Sequence, residues 1–281
     1  IYNYQSIRED LLKAGHVFQT AADSEVVLHG YEEYGPALLD RLRGMFAFVI
    51  WDQAKGELFG ARDFFGIKPL YYAQMGEAFL FGSEIKSFLP HPAFRKELNL
   101  RALEHYLSFQ YSPGPETFFQ NVYKLPPAHY FTYRQGKLNL TRYWLPEFHA
   151  EEDKSLDYWV DEIEKVFDNS VEAHKVSDVE VGSFLSSGVD SSYVACSAHV
   201  DKTFTVGFDN GEKYNEISYA KGLSERIPVK NISKVITPEE FWGTFPKIQY
   251  HMDEPLADPS AVALYFVCNT ASQHLKVVLS G

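Results

Sequence analysis

Three serines, a glycine and an aspartate stand within six residues, Ser186-Ser187-Gly188-Val189-Asp190-Ser191. Small hydroxylated residues turn sharply and offer O–H donors. A helix that starts immediately after such a turn adds backbone N–H groups without intrahelical acceptors. Together these make an anion site suited to phosphate. An ordinary βα turn rich in serine and glycine is the simpler alternative. A second polar cluster runs Met252-Asp253-Glu254-Pro255-Leu256-Ala257-Asp258-Pro259-Ser260. Asp253, Glu254 and Asp258 are carboxylates for a magnesium ion or a substrate ammonium group, or solvated acids of a capped loop. Asp23 opens a helix and reads first as its N-cap. Arg62-Asp63 stands before Gly66 and Pro69 and reads as a structural ion pair at a sharp turn.

The flanks of the serine-rich turn are those of a strand–loop–helix unit. Val179, Val181 and Leu185 are strand residues; Tyr193, Val194, Ala195, Ala198 and Val200 fit an amphipathic helix. From about Leu156 onward the chain alternates. A helix is expected to His174, strands at 179–185, 203–208, 229–235 and 276–279, and helices at 214–227, from Thr237-Pro238, and at 260–274. Such alternation predicts an α/β doubly wound parallel sheet. Ligands of these sheets bind beyond the carboxyl ends of the strands. The turns after Leu185, Val206 and Leu279 meet that condition. Phosphate belongs over Ser186 to Ser191, and adenine and ribose near Leu185 and Val206, with Ser280 and Gly281 closing the other side. Asp190 has two roles open to it, helix cap or magnesium and pyrophosphate handling.

The first half is expected to be α+β. Ser6-Ile7-Arg8-Glu9 has capping-box spacing, and Gly15 closes that helix. A short strand is predicted at 17–20, then a helix through Val26, Val27 and Tyr31. The run 44–51 is continuous and apolar and reads as a strand buried on both faces. Segments 57–62, 70–73 and 78–82 read as its neighbours. A helix follows at 100–109, then a hairpin of 122–133 with 138–143 about Gln135-Gly136. The acidic, breaker-rich stretch 145–155 is the predicted domain boundary, giving domains 1–148 and 149–281.

At 281 residues, two domains are the default. A hydrophobic fraction of 45% allows sizeable cores, and a net charge of −12 argues against a nucleic-acid surface. Cys196 and Cys268 are the two cysteines; both read as small buried hydrophobes, too few for a disulfide framework, so a reducing, cytoplasmic compartment fits. No run is long and apolar enough to predict a membrane span.

The turn lacks the Gly-Lys-Ser/Thr of a Walker A loop and resembles the Ser-Gly-Gly-x-Asp-Ser loop of ATP pyrophosphatases. Ser187 stands where that motif usually has glycine, so its side chain either crowds the phosphate or donates a further hydroxyl. The segments IYNYQSIRED, FQTAADSEVVL, GMFAFVIWD, GARDFFGIKPLYY, FGSEIKSF, LPPAHYF, GSFLSSGVDSS, FTVGF, YNEISYAKGLSERI, DEPLADPSA and KVVLSG resemble, in order, those of class II glutamine-hydrolysing asparagine synthetases.

That resemblance implies an N-terminal-nucleophile glutaminase domain (glutamine amidotransferase type 2). It also implies an ATP-binding domain of the ATP-pyrophosphatase, adenine nucleotide α-hydrolase-like type. Ammonia released from glutamine through a thioester would displace AMP from an adenylated aspartate. Asp23 matches the residue that binds the glutamine α-amino group. Leu185, Ser186, Ser187, Gly188, Asp190, Ser191, Val206, Ser280 and Gly281 match ATP contacts, with Asp190 also a magnesium ligand. Arg62 and Asp63 are assigned to structure. The implied partners are ATP, Mg2+, aspartate and glutamine, with no nucleic acid or membrane; homodimerisation stays open.

The family's N-terminal Cys nucleophile and oxyanion-hole Asn-Gly have no counterpart here. The acidic stretch that follows Ser-Gly is also missing, so a fragment without glutaminase or synthetase activity of its own is expected. The alternatives are another ATP-pyrophosphatase amidotransferase, a β-lactam synthetase-like relative, and a non-catalytic nucleotide-binding homologue.

Overall fold

The computed structural model describes residues 1–150, 153–209, 215–255, 257–258 and 260–281. The chain divides into two units. One comprises Ile1–His149 with Asp253–Leu256, the other Ala150–Met252 with Ala257–Gly281.

The first unit begins with α1 (Tyr4–Lys13) and α2 (Asp23–Tyr34). The capping-box spacing at Ser6 is not used, because α1 starts two residues earlier. Asn3 precedes it and spends its side chain on Arg41 O (2.8 Å) and Arg43 N (2.9 Å). Gly15 does end the helix, at φ +99°. No strand forms at 17–20. There the Gln19 and Thr20 N–H groups each donate to the Glu25 carboxylate at 2.7 Å, so the backbone is satisfied by a side chain.

Strands β1 (Ala47–Asp52), β2 (Glu57–Arg62), β6 (His129–Arg134) and β7 (Lys137–Arg142) make one antiparallel sheet in the order β1-β2-β6-β7. Strands β3 (Tyr71–Met75), β4 (Ala78–Gly82) and β5 (Val122–Lys124) make another, in the order β4-β3-β5. The expected continuous neighbours of β1 are therefore split between two sheets. β1 is an edge strand, half-buried, with Trp51 exposed, rather than buried on both faces. The β6–β7 turn forms as expected, with Gln135 and Gly136 both at positive φ.

Leu70, Tyr72, Leu125 and Phe131 pack with Val49, Leu58 and Phe79 between the two sheets. A second cluster joins Leu11, Val26 and Leu39 to Phe59 and Ala61, so α1 and α2 cover the first sheet. Gly60 leaves room for Phe131; a β-carbon there would stand 2.3 Å from the ring. Helix α3 (Leu100–Phe109) is capped by Asn99, whose side chain accepts from the N–H groups of Arg101 and Ala102.

The second unit contains α4 (Leu156–His174), β8 (Val181–Phe184), α5 (Val189–Ser197), β9 (Lys202–Phe208) and α6 (Ile217–Ser224). It continues through β10 (Lys230–Ile236), α7 (Pro238–Met252), α8 (Ser260–Ser272) and β11 (Val277–Leu279). The sheet order is β10-β9-β8-β11 and every pairing is parallel. Phe204, Val206 and Phe208 pack with α7 and α8, while Leu185 packs with Ala195 of α5 and Ala220 of α6. The start of α7 is a reciprocal box: Thr237 N donates to Glu240 Oε2 (3.0 Å) and Glu240 N to Thr237 Oγ1 (3.2 Å). Cys268, expected to be buried, is exposed on α8, and Cys196 is half-buried. Among the described residues, no helix is long and apolar enough to cross a membrane.

Candidate active site

In the second unit the serine-rich turn leaves the carboxyl end of β8, the strand between β9 and β11. Leu185 is buried and donates its N–H to Phe204 O at 2.9 Å; its carbonyl accepts from Thr205 Oγ1 at 2.7 Å. The turn is thus clamped to β9 just before Val206. Ser191, buried in the first turn of α5, holds the loop closed. Its Oγ accepts from Ser186 N (3.2 Å), donates to Gly188 O (3.1 Å) and lies 2.8 Å from Ser186 Oγ. Ser186 Oγ also accepts from Gly188 N at 3.0 Å.

Gly188, not Asp190, is the N-cap of α5; Asp190 lies in the first turn with its side chain exposed. On the far side, Gly281 comes against the peptide joining Asp190 to Ser191. A β-carbon on Gly281 would stand 2.6 Å from Asp190 C and from Ser191 N. The strand order and these contacts put Leu185, the 186–191 turn and Gly281 at one end of the sheet.

Ser187 neither crowds the loop nor points its hydroxyl into it. Its Oγ donates to Glu216 Oε1 at 2.9 Å. Glu216 lies 29 residues from Ser187 along the chain, so no local motif marks the pair. Of the expected turn GFDN, Gly207 and Phe208 are instead the last residues of β9, and Asn210 lies outside the described residues. Gly207 there gives way to Asn215, whose Oδ1 would lie 2.4 Å from an added β-carbon.

The acidic cluster has a different occupation from the one expected. Asp253 Oδ2 accepts from Ile85 N (2.6 Å) and Oδ1 from Lys86 Nζ (2.9 Å). Glu254 Oε1 accepts from Phe118 N (2.8 Å) and Oε2 from Lys124 Nζ (2.9 Å). Both are nearly buried counter-ions inside the first unit, which corrects their assignment as open magnesium or substrate ligands. Burial, then the charges of Glu254 and Asp253, push the Tyr71 phenol up to about 12. Asp258 accepts from Ser260 N at 2.9 Å and serves the start of α8, so it too has a capping role in place of the expected ligand role. Leu256 and Pro259 lie outside the described residues.

In the first unit, Asp23 opens α2 directly after its N-cap, Ala22, with its side chain half-exposed. It lines a cavity of about 450 Å3 with Val27, Phe46, Phe48, Lys68 and Pro69. Glu25 orders the approach to α2 through Gln19 and Thr20. Those bonds hold the Glu25 carboxyl at about 2, well below its usual range.

Arg62 and Asp63 shape the loop that carries Lys68, but not by pairing with each other. Arg62 donates to the carbonyls of Lys68 (2.7 Å), Leu125 (2.6 Å) and Gly66 (2.6 Å). Asp63, only 1% exposed, accepts from the N–H groups of Phe46 (3.1 Å), Ile67 (2.8 Å) and Lys68 (2.9 Å), with Phe65 at 3.3 Å. Gly66 sits at φ +65° beneath the Arg62 guanidinium, where a β-carbon would stand 3.0 Å from Cζ.

Comparison with known proteins bears on both sites. The family described as glutamine amidotransferase domain matches residues 1–144, and the family described as asparagine synthase matches residues 162–281. Asparagine synthetase (glutamine-hydrolyzing) 1 of Bacillus subtilis is 43% identical, with 100% of this chain aligned to 45% of that protein. Asparagine synthetase (glutamine-hydrolyzing) 3 of the same organism is 32% identical, with 100% of this chain aligned to 49% of it. The chain thus spans about half the length of these curated relatives. It belongs to the glutamine amidotransferase domain family, and its residues 162–281 are similar to the asparagine synthase family.

Proposed function

We propose that the protein to which these residues belong makes asparagine from aspartate, ATP and the amide nitrogen of glutamine. The reading is carried by one observation: residues matched by the asparagine synthase family fold into a parallel sheet whose hydroxyl-rich turn crowns β8, against Gly281. This is the arrangement expected of the ATP-pyrophosphatase type, and the first unit is read as an N-terminal-nucleophile glutaminase domain.

In the second unit, the N–H groups of the first turn of α5 face the β- and γ-phosphates, while the Ser187 and Ser192 hydroxyls are committed to Glu216 Oε1 and Gly188 O. Ser186 and Ser191 act mainly as the frame, because their hydroxyls already bond each other and the loop backbone. Adenine and ribose lie along the ends of Leu185 and Val206, with Ser280 and Gly281 opposite. The aspartate side-chain carboxylate attacks the α-phosphorus and the β,γ-diphosphate departs. Ammonia then displaces AMP from the acyl carbon. Fixed N–H donors at the departing diphosphate lower the barrier without reorganising during the step.

Asp190 is the exposed carboxylate of the turn. One carboxylate together with phosphate oxygens and waters is a donor set that Mg2+ accepts. Bound there, the ion would neutralise phosphate charge.

In the first unit, Asp23 receives the α-ammonium of glutamine in the cavity that it lines together with Lys68. Neither Cys196 nor Cys268 lies in that unit, so the thiol for amide hydrolysis is assigned to a residue outside these 281.

The test is the full-length protein with Mg-ATP, aspartate and glutamine labelled with 15N in the amide. Labelled asparagine, AMP and pyrophosphate are expected in equal amounts. Tight ATP binding without pyrophosphate release would favour a non-catalytic nucleotide binder. Pyrophosphate release independent of aspartate would favour another ATP-pyrophosphatase, such as a β-lactam-forming relative.

A further inference from the structure

Away from the cavity at Asp23, two imidazoles and three carboxylates meet between the end of α1 and the exposed side of α2. His16 follows Gly15, and its backbone is fixed by its N–H to Leu11 O at 3.0 Å. His29 and Glu32 are three residues apart on α2 and therefore share a face. His29 Nδ1 lies 2.7 Å from Glu32 Oε2, and His16 Nδ1 lies 3.7 Å from the same oxygen. One ligand atom from each of His16, His29 and Glu32 falls within 4.8 Å of the others. The two rings are 5.1 Å apart, and both side chains are mostly shielded, at 16% and 17% exposed.

The opposite ring nitrogens are also provided for. His16 Nε2 lies 3.1 Å from Glu33 Oε2, and His29 Nε2 lies 3.7 Å from Glu25 Oε1. Each imidazole therefore turns Nδ1 toward Glu32 Oε2, and His16 holds its other nitrogen on the Glu33 carboxylate, while Glu25 faces the other nitrogen of His29 beyond direct hydrogen-bond reach. At His16 that is the outer-shell pattern that fixes the tautomer and raises the basicity of a metal-bound histidine. A simple cluster of surface acids would not orient both rings in this way.

We propose that His16 Nδ1, His29 Nδ1 and Glu32 Oε2 form a binding site for one divalent transition-metal ion of the zinc class. Glu33 serves as the outer carboxylate of His16. Two imidazoles and one carboxylate suit Zn2+, with water in the fourth position. Bonds of about 2.0–2.2 Å require a ligand-to-ligand spacing near 3.4 Å. The two measured spacings to Glu32 Oε2 lie on either side of that value, and the half-exposed Glu32 side chain is free to adjust. With Nδ1 on the ion, each neutral imidazole carries its proton on Nε2. The ion ties the α1 terminus to α2, the helix whose first turn bears Asp23, and so stiffens one wall of the cavity.

The experiment uses the tag-free full-length protein, stripped with chelator and titrated with ZnCl2 by calorimetry and against a chromophoric chelator, beside the His16→Gln/His29→Gln variant. One equivalent is expected to bind, with a rise in Tm reversed by chelator. His29→Asn is expected to weaken binding about a hundredfold, and Glu33→Gln about tenfold through the outer shell. Both variants are to be checked for wild-type circular dichroism. Co2+ in place of zinc should give the visible bands of a low-coordinate site, lost in a His16→Gln/His29→Gln variant. Absence of a one-equivalent event, or zinc binding undiminished in the folded double variant, would overturn the proposal and leave the cluster an ion-pair network.

Discussion

Gly281 lies so close to Asp190 that a methyl group on its α-carbon would stand 2.6 Å from the Asp190 carbonyl carbon. The contact is with backbone, which has little freedom to retreat. Gly281→Ala in the full-length protein is therefore expected to displace the first turn of α5 and weaken ATP binding by about tenfold or more, since overpacking costs about 1–3 kcal/mol. Calorimetry with a non-hydrolysable ATP analogue measures it; unchanged affinity would show that this turn does not touch the nucleotide.

Glu216 places a negative charge beside the same turn through its bond to Ser187. Glu216→Gln keeps the hydrogen-bond geometry and removes the charge. If phosphates sit over the turn, their affinity should rise about two- to tenfold at low salt, and less at high salt. Pyrophosphate and ATP titrations at two ionic strengths check the sign and the screening together.

Asp63 satisfies several N–H groups in a site closed to water, while neighbouring Arg62 serves carbonyls. Asp63→Asn turns an amide NH2 toward donors. The expected loss is about 2–4 kcal/mol, because hydrogen bonds to a buried charged group are among the stronger ones. Denaturant unfolding of the 281-residue chain reads this directly, and a loss below about 0.5 kcal/mol would contradict it.

Glu25 supplies a pH signature. Its carboxyl is held near 2 in the folded chain by the Gln19 and Thr20 bonds, against an ordinary value of 4.5. A depressed folded pKa contributes stability that is present above the unfolded value and lost as pH falls toward the folded one. In metal-free buffer, the Tm advantage of the native chain over Glu25→Gln should be constant above pH 5. It should shrink between about pH 4.5 and 2. A pH-independent difference would mean that Glu25 acts through packing alone.

The second unit was the more legible in sequence. Its parallel sheet follows from alternating patterns that each span a whole strand or helix. The start of α7 at Thr237-Pro238 was readable because its signal is local. The first unit was less legible, because the identity of a strand's neighbour is not written in its own periodicity; β1 and β3 are both apolar, yet they join different sheets. Among site residues, Ser186 to Ser191 were visible as a local motif. The partners Glu216 of Ser187, and Lys86 and Lys124 of the acidic cluster, were not, since 29, 167 and 130 residues separate them. The same distance effect led Asp253 and Glu254 to be read as free ligands when they are counter-ions.

Arg62 and Asp63 lay out the 63–68 loop entirely through its main chain, one residue collecting carbonyls and the other amides. The path of that loop is consequently indifferent to most side chains it bears. Ile67 is largely exposed, and Phe65, also largely exposed, sets its ring edge-to-face against Trp144 at 5.4 Å; neither is gripped by the two residues that fix the main chain. Evolution or an engineer can rewrite those two positions to suit another surface, while inserting even one residue among them would break the main-chain pattern itself.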